Sequence, residues 1–271
     1  GKRALGGRLV LTRRLIACLD VQGERVVKGV RFVGLRDVGE PADLAVRYEA
    51  EGADEIVFLD IAATHEERET FLDVVRRTAE RLFVPLTVGG GLRTLDDATR
   101  ALRAGADKVS FNSAAVARPE LLTECAERFG AQCVVASIDA SRVDGVWRVF
   151  TRGGRTATDL EAVEWAGECV RRGAGEILLT SVDRDGARTG YDLELTRAVA
   201  QAVPVPVVAS GGAGDASHII AALTDGGADA ALVAGILHDG VTTIGRLKQA
   251  MSTAGIPVRP APSISMRSSS C

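Results

Sequence analysis

Two aspartates at the ends of two similar apolar runs are the residues best suited to chemistry in this sequence. Asp20 ends the run "LIACLD", and Asp139 ends the run "VVASID" much later in the chain. Two carboxylates that share a site can divide the work of general acid and general base if their environments separate their pKa values. Such a residue can also simply cap a neighbouring loop amide, so the surrounding elements must decide between the two interpretations.

Short apolar runs alternate with longer amphipathic stretches along most of the chain, which predicts strands alternating with helices. The predicted strands are 15–21, 55–61, 84–88, 106–111, 133–139, 176–182, 205–210 and 228–234. Eight apolar strands, most of them followed by a helix, predict an α/β fold in which a parallel sheet closes into a (β/α)8 TIM barrel. The active site of such a barrel lies at the carboxyl ends of its strands, so Asp20 and Asp139 are expected to face one mouth from opposite sides.

An internal repeat supports this closure. The segment "EGADEIVFLDI" (51–61) matches "RGAGEILLTSV" (172–182), and "VPLTVGGG" (84–91) matches "VPVVASGG" (205–212). The barrel is therefore interpreted as two duplicated half-barrels of four βα units each.

Two long segments follow the strands that carry the aspartates. They are residues 22–40 and residues 140–157, and the second is predicted to be a hairpin that turns at Asp144-Gly145. Because long loops in compact domains usually serve as lids or binding loops, both segments are expected to cover the mouth.

Glycine-rich turns follow predicted strands 3 and 7, at 88–94 and 209–217. Bare backbone N–H groups just before a helix bind phosphate well. The turns at 110–115 and 233–240 can complete each site with small residues. Tight βα turns need glycine in any case, but two such pairs related by the repeat predict two phosphate sites and a long ligand with a phosphate at each end. The charged loop 180–192 is either a third wall of this site or a solvated turn.

Composition excludes several classes of function. The chain has 271 residues, 46% of them hydrophobic and 4% aromatic, with a formal net charge of -3, which argues against a nucleic-acid-binding surface. The odd count of five cysteines and three scattered histidines argue against a disulfide framework or a metal site. No apolar run is long enough to cross a bilayer. We expect a cytoplasmic protein without metal or cofactor: a single barrel over 13–257, an N-terminal extension over 1–12 and a disordered tail over 258–271.

Four charged residues open predicted strands at the opposite face of the barrel. They are Arg14, Glu55, Lys108 and Glu176. Each alone could be a solvated charge at the end of an element. Two positive and two negative charges could instead form a neutral ring across the barrel floor.

Long motifs carry a resemblance to a known family. They include "RLIACLDV", "TVGGGLRT", "GADKVSFNSAAV", "GAGEILLTSVDRDGARTGYD" and "VVASGGAG". The chain resembles the cyclase subunit of imidazole glycerol phosphate synthase, from histidine biosynthesis, almost without gaps from about Arg13 to Pro257. That family adds ammonia to phosphoribulosylformimino-aminoimidazole carboxamide ribotide, which carries two phosphates. The products are imidazole glycerol phosphate and aminoimidazole carboxamide ribotide.

The resemblance implies a role for each matching residue. Asp20 and Asp139 would be the acid/base pair, and Lys28 in the first long loop would close over the substrate. The residues implied in substrate and phosphate binding are Lys28, Gly91, Asn112, Ser113, Thr180, Asp185, Gly186, Gly212, Ala234 and Gly235. The four floor charges would gate ammonia that arrives from a glutaminase subunit docked beneath the barrel as a heterodimer. Asp107 would contact that partner.

Two departures and two alternatives accompany this interpretation. Gly235 and Gly153 stand where members of the family can carry serine, so hydroxyl contacts are lost there. The isomerase that makes the substrate in the same pathway shares the two aspartates and the two phosphate sites, but "ACLDV", "DRDGARTGYD" and the floor charges favour the cyclase. A catalytically silent barrel that binds phosphorylated ligands has no need of Asp20, Asp139 and Lys28 together.

Overall fold

The computed structural model describes residues 11–30, 33–61 and 65–260. Eight parallel strands form the barrel: β1 Arg14–Gln22, β4 Glu55–Asp60, β5 Leu86–Gly89, β6 Lys108–Phe111, β7 Val134–Val143, β10 Glu176–Ser181, β11 Val207–Ser210 and β12 Ala230–Val233. Each pairs with the next in this order, and β12 pairs with β1, so the ring is closed. The predicted (β/α)8 barrel is confirmed.

Helices surround the ring and follow the predicted alternation. They are α1 Pro41–Ala50, α2 His65–Ala79, α3 Leu95–Arg103, α4 Ser113–Ala117, α5 Glu120–Phe129, α6 Ala162–Arg171, α7 Leu193–Ala202, α8 Ala216–Thr224, α9 Gly235–His238 and α10 Ile244–Thr253. The short helices α4 and α9 follow β6 and β12, which are the fourth strand of each half. The two halves therefore share even this small element.

Four further strands occupy the two long segments after β1 and β7. They are β2 Arg25–Val30, β3 Val33–Gly39, β8 Val146–Thr151 and β9 Thr156–Glu161. We call the β2–β3 pair hairpin 1 and the β8–β9 pair hairpin 2. Both pair antiparallel with the barrel strand that precedes them. The segment expected as a loop at 22–40 is thus mostly strand, and the turn expected at Asp144-Gly145 is present, with φ of 49° and 83°.

The strand period of two decides which side chains face the barrel interior. In β1, Leu15, Ala17 and Leu19 belong to the large core between sheet and helices. The alternate residues Ile16 and Cys18 belong to a separate apolar cluster with members from opposite strands, including Val57, Val135, Leu178 and Val208. Asp20 continues that alternate series, and Asp139 continues the series of Val135 in β7. Both aspartates therefore stand above an apolar barrel interior.

The predicted terminal extensions lie almost wholly outside the described residues. Arg259, which the sequence assigns to the tail, donates to the Asp54 carboxylate at 2.8 Å and to the Ala53 carbonyl at 2.6 Å. Lys248 joins the same carboxylate at 2.6 Å. The packing of the barrel thus extends at least to Arg259.

Candidate active site

Asp20 and Asp139 occupy matching places in the two halves. Asp20 pairs in parallel register with Leu59 and antiparallel with Val27, whereas Asp139 pairs with Thr180 and Phe150 in the same two senses. The sequence predicted that two barrel strands end at or next to the aspartates. Strands β1 and β7 instead continue beyond Asp20 and Asp139, and each pairs there with a hairpin. Each carboxylate therefore lies where a barrel strand becomes one edge of a hairpin, which places a covering element directly beside it.

Both carboxyl groups have a pKa well above the ordinary value for aspartate. Burial, and then the negative charge of Asp185, raises the pKa of Asp20 to about 7. The same two causes raise the pKa of Asp139 to about 7, although a hydrogen bond from Asn112 acts in the opposite direction. Desolvation disfavours a buried charge, and a second negative charge nearby disfavours it further. At neutral pH the mouth therefore holds carboxyl groups in both the protonated and the charged form.

Two residues predicted to bind substrate or phosphate, Asn112 and Asp185, also affect the pKa of the aspartates. Asn112 donates to the Asp139 carboxylate, and the Asn112 Oδ1 atom is buried without a hydrogen-bond partner among the described residues. Asp185 is a carboxylate whose charge acts on both Asp20 and Asp139, and a carboxylate repels a phosphate.

The turns that open α4 and α9 have closely similar backbones. Asn112, which precedes α4, has φ -115° and ψ -93°, and Ala234, which precedes α9, has φ -134° and ψ -77°. The first N–H groups of a helix have no partner inside the helix, so both turns offer donors to an anion. The hydroxyl of Ser113 accepts from the Arg152 N–H of hairpin 2 at 2.9 Å. Gly235 is the first residue of α9 and has no hydroxyl to offer.

Two of the glycine-rich turns need glycine because a neighbouring carbonyl group lies very close to them. A Cβ atom on Gly212 would lie 2.2 Å from the Gly190 carbonyl oxygen, and one on Gly90 would lie 2.1 Å from the Asp60 carbonyl oxygen. The end of β4 packs directly on the turn at Gly90, and the loop after β10 packs directly on the turn at Gly212, so glycine is required at both. Gly91 and Gly186 adopt positive φ, at 62° and 74°.

Lys28 lies in β2, where it pairs across hairpin 1 with Arg36. Its side chain falls outside the described part of the structure. The register alone places it one strand away from Asp20, since Asp20 pairs with the adjacent Val27.

The four floor charges form the neutral ring that the sequence offered as one interpretation. Arg14 contacts Glu55 at 2.9 Å and Glu176 at 2.6 Å, and Lys108 contacts the same two carboxylates at 2.9 and 3.0 Å. Thr87 donates to Glu55 at 2.6 Å. Glu55 is 2% exposed, so its charge is balanced by partners rather than by water.

Asp107 performs a structural task beside this ring. Its side chain is exposed but accepts from the Leu86 N–H at 2.8 Å. Asp54 and Asp229 accept from Leu15 and Val207 in the same way, at 2.8 and 3.1 Å. In each case an aspartate that precedes one barrel strand accepts a hydrogen bond from the start of the previous strand of the barrel. This explains why Gly-Ala-Asp recurs at 52–54, 105–107 and 227–229.

Sequence reasoning missed a set of charged contacts at the rim. Asp239, immediately after α9, contacts Arg36 of hairpin 1 at 2.8 Å and also contacts Arg188 of the loop after β10. Nothing in the sequence signals this set, because its members come from three separate loops. Among the described residues, no group of three or more His, Cys, Asp or Glu side chains is suited to hold a metal ion, and no helix there is long and apolar enough to cross a membrane.

A closed (β/α)8 barrel with two partly protonated carboxylates at its mouth is the architecture of a barrel enzyme. Comparison with known proteins names the family: residues 14–243 match the family described as "Histidine biosynthesis protein". The chain is 72% identical over 250 residues to imidazole glycerol phosphate synthase subunit HisF of Myxococcus xanthus (strain DK1622), covering 92% of this chain and 99% of that protein. It is 60% identical over 252 residues to the subunit of the same name from Synechococcus sp. (strain CC9605), covering 91% and 98%. The chain belongs to this histidine biosynthesis family, among the HisF subunits.

Proposed function

We propose that the chain is the cyclase of imidazole glycerol phosphate synthase and uses Asp20 and Asp139 as its acid/base pair. In this reaction ammonia is added to phosphoribulosylformimino-aminoimidazole carboxamide ribotide, which is then cleaved and cyclised. The products are imidazole glycerol phosphate and aminoimidazole carboxamide ribotide. The observation that carries the proposal is the pKa of about 7 at both opposed carboxylates, together with relatives that are named as this synthase.

The two aspartates are suited to opposite proton transfers. Adding ammonia, eliminating the leaving amine and closing the ring all require a proton to be removed at one atom and delivered at another. A group whose pKa lies near the working pH does either task efficiently. The Asn112 hydrogen bond favours the charged form of Asp139. Because the pKa of both groups is about 7, either aspartate can be the initial base while the other is the initial acid.

The two related sets of turns would hold the two phosphates. One set comprises Gly91 and the start of α4 at Ser113, and the other comprises Gly212 with Ala234 and Gly235. Their backbone N–H groups suit a dianion. A ligand that spans both sets lies across the mouth, with its reacting centre between the aspartates. Thr180 and Gly186 would border this path, and β2, the strand that carries Lys28, pairs beside Asp20.

Ammonia would enter from the floor. The relatives are named as subunits, and we propose that the partner of this chain is a glutaminase docked beneath the barrel near Asp107. The ring of Arg14, Glu55, Lys108 and Glu176 closes the lower end of an apolar interior. A neutral molecule such as ammonia crosses an apolar interior more easily than ammonium, which would have to shed its hydration.

The test is turnover of the bis-phosphorylated ketose by the purified chain with and without ammonium chloride. Formation of imidazole glycerol phosphate that depends on ammonium supports the cyclase. Conversion of the isomeric aldose to this ketose would instead support the isomerase. Tight binding of the ketose without any product would support a silent scaffold. Glutamine should replace ammonium only when the glutaminase subunit is added, and a chain that uses glutamine alone would contradict the proposed partner.

A further inference from the structure

Three loops meet at the carboxylate of Asp239. Arg36 of hairpin 1 approaches one oxygen at 2.8 Å, and Arg188 from the loop after β10 contacts the other. Asp239 itself directly follows α9, and its N–H donates to the Gly235 carbonyl at 3.1 Å. The same carbonyl lies 3.4 Å from the Arg188 guanidinium. The carboxylate is therefore fixed to the turn proposed to hold one phosphate.

The contact between Arg36 and Asp239 also affects Lys28, because of where Arg36 lies in hairpin 1. Arg36 is the direct cross-strand partner of Lys28 in hairpin 1. Residues that face each other across an antiparallel pair move together, because their backbones are held about 5 Å apart. A contact that holds Arg36 against Asp239 therefore also determines where the backbone of Lys28 lies relative to the mouth.

The other half of the barrel holds its hairpin in a different way. In hairpin 2 the Arg152 N–H donates to the Ser113 hydroxyl, on the first residue of α4. The matching first residue of α9 is Gly235, which has no hydroxyl. Hairpin 1 therefore lacks the hydroxyl that holds hairpin 2, whereas Asp239 at the far end of α9 supplies a carboxylate to Arg36.

We infer that Asp239 is a positioning residue that ties hairpin 1 and the loop after β10 to the turn at Ala234 and Gly235, which is proposed to hold a phosphate. It thereby sets the position of the β2 backbone at Lys28 relative to the mouth. The inference rests on the proposed function for its effect on turnover. The contact itself does not depend on that function. Asp239 is 23% exposed, whereas Arg36 is 66% and Arg188 is 40% exposed, so the acidic member is the most buried of the three.

The experiment has one arm that needs no substrate. Backbone hydrogen exchange is measured over residues 25–30 and 36–39 in the full chain and in Asp239→Asn, Arg36→Gln and the double variant. Each single variant should exchange faster in hairpin 1 by about two- to fivefold, as expected for one exposed ion pair. The double variant should add little, because both changes remove the same contact. Asp73→Asn, which breaks an exposed pair with Arg76 in α2, is the matched control and should leave hairpin 1 unchanged.

The second arm separates positioning from stability. With ammonium as the nitrogen source, Asp239→Asn should raise KM for the bis-phosphorylated ketose about two- to fivefold with little change in kcat. Asp239→Glu should recover most of the loss. Unchanged exchange in hairpin 1 for both single variants, or additive effects in the double variant, would overturn the inference. A chain that turns over no ketose but shows the exchange pattern would contradict the proposed function and leave this contact supported.

Discussion

The two hairpins occupy the same place in a duplicated barrel but are held by different chemistry. Both continue from a strand that carries an aspartate, and both lie beside a short helix at the end of a half-barrel. The turn of hairpin 2 is anchored by its own backbone, through the Arg152 N–H to Ser113. The end of β7 on which hairpin 2 pairs is held by the Arg142 N–H, which donates to Asp183 at 2.9 Å. Among the described side chains, hairpin 1 contacts the end of α9 through the ion pair of Arg36 with Asp239.

This difference indicates how one duplication can yield a fixed wall and an adjustable one. A backbone hydrogen bond needs no long side chain to be ordered, so it restricts the hairpin itself. An exposed ion pair between flexible side chains is weak and is screened by salt. The half-barrel with the serine thus holds its hairpin directly, and the half-barrel with the glycine holds its hairpin through side chains that can exchange partners.

The largest expected effect tests whether the two halves are equal in chemistry. Asp20→Asn and Asp139→Asn should each lower kcat by about 10²- to 10⁴-fold, because each removes one proton-transfer group while keeping its size. Affinity for the bis-phosphorylated ketose should change little, as measured by calorimetry. Asp159→Asn, an exposed aspartate in hairpin 2, is the control. Full activity in either mouth variant would show that only one half contributes catalysis.

The same two aspartates, which are proposed to support catalysis, should lower the stability of the folded chain once they are charged. Their folded-state pKa of about 7 lies above the unfolded value of about 3.9. Between these pH values the folded chain therefore binds more protons than the unfolded chain. The contribution of these groups to the free energy of unfolding should fall as the pH rises from about 4 through 7. Asp20→Asn should stabilise the chain at pH 8 and have little effect at pH 4, as measured by urea unfolding. A gain that is equal at both pH values would contradict the raised pKa.

A smaller effect is expected when the end of β7, on which hairpin 2 pairs, is less firmly held. Asp183 accepts from the Ser141 hydroxyl at 2.6 Å and from the Arg142 N–H at 2.9 Å. Asp183→Asn removes the charge and turns one acceptor into a donor, which should cost about 1 kcal/mol in urea unfolding and speed exchange over residues 146–151. Hairpin 1 should be unaffected. If hairpin 1 also loosened, the two hairpins would not be held independently.

Much of the fold, but less of the site, follows from the sequence. Apolar periodicity and the internal repeat were sufficient to predict eight strands in two halves, because both signals can be read directly along the sequence. The aspartates could be singled out because each ends an apolar run. The effect of Asn112 and Asp185 on the pKa of the aspartates could not be predicted, since residue type does not say which charged groups a side chain lies beside. The contact of Arg36 with Asp239 joins residues far apart in the chain, and no local pattern marks it.

The smallest expected effect comes from exchanging the serine and the glycine that distinguish the two halves. Gly235 lies in a helical turn with no positive φ, so Gly235→Ser should fold normally, and its hydroxyl should add one hydrogen bond to phosphate or to hairpin 1. We expect KM for the ketose to fall about two- to threefold, as one modest hydrogen bond allows. The reciprocal Ser113→Gly removes the acceptor of the Arg152 N–H and should raise KM and speed exchange in hairpin 2. The combined variant should transfer the tighter anchor from hairpin 2 to hairpin 1. If Ser113→Gly leaves hairpin 2 as protected as before, its anchor lies in Asp183 alone, and the serine acts only on the phosphate.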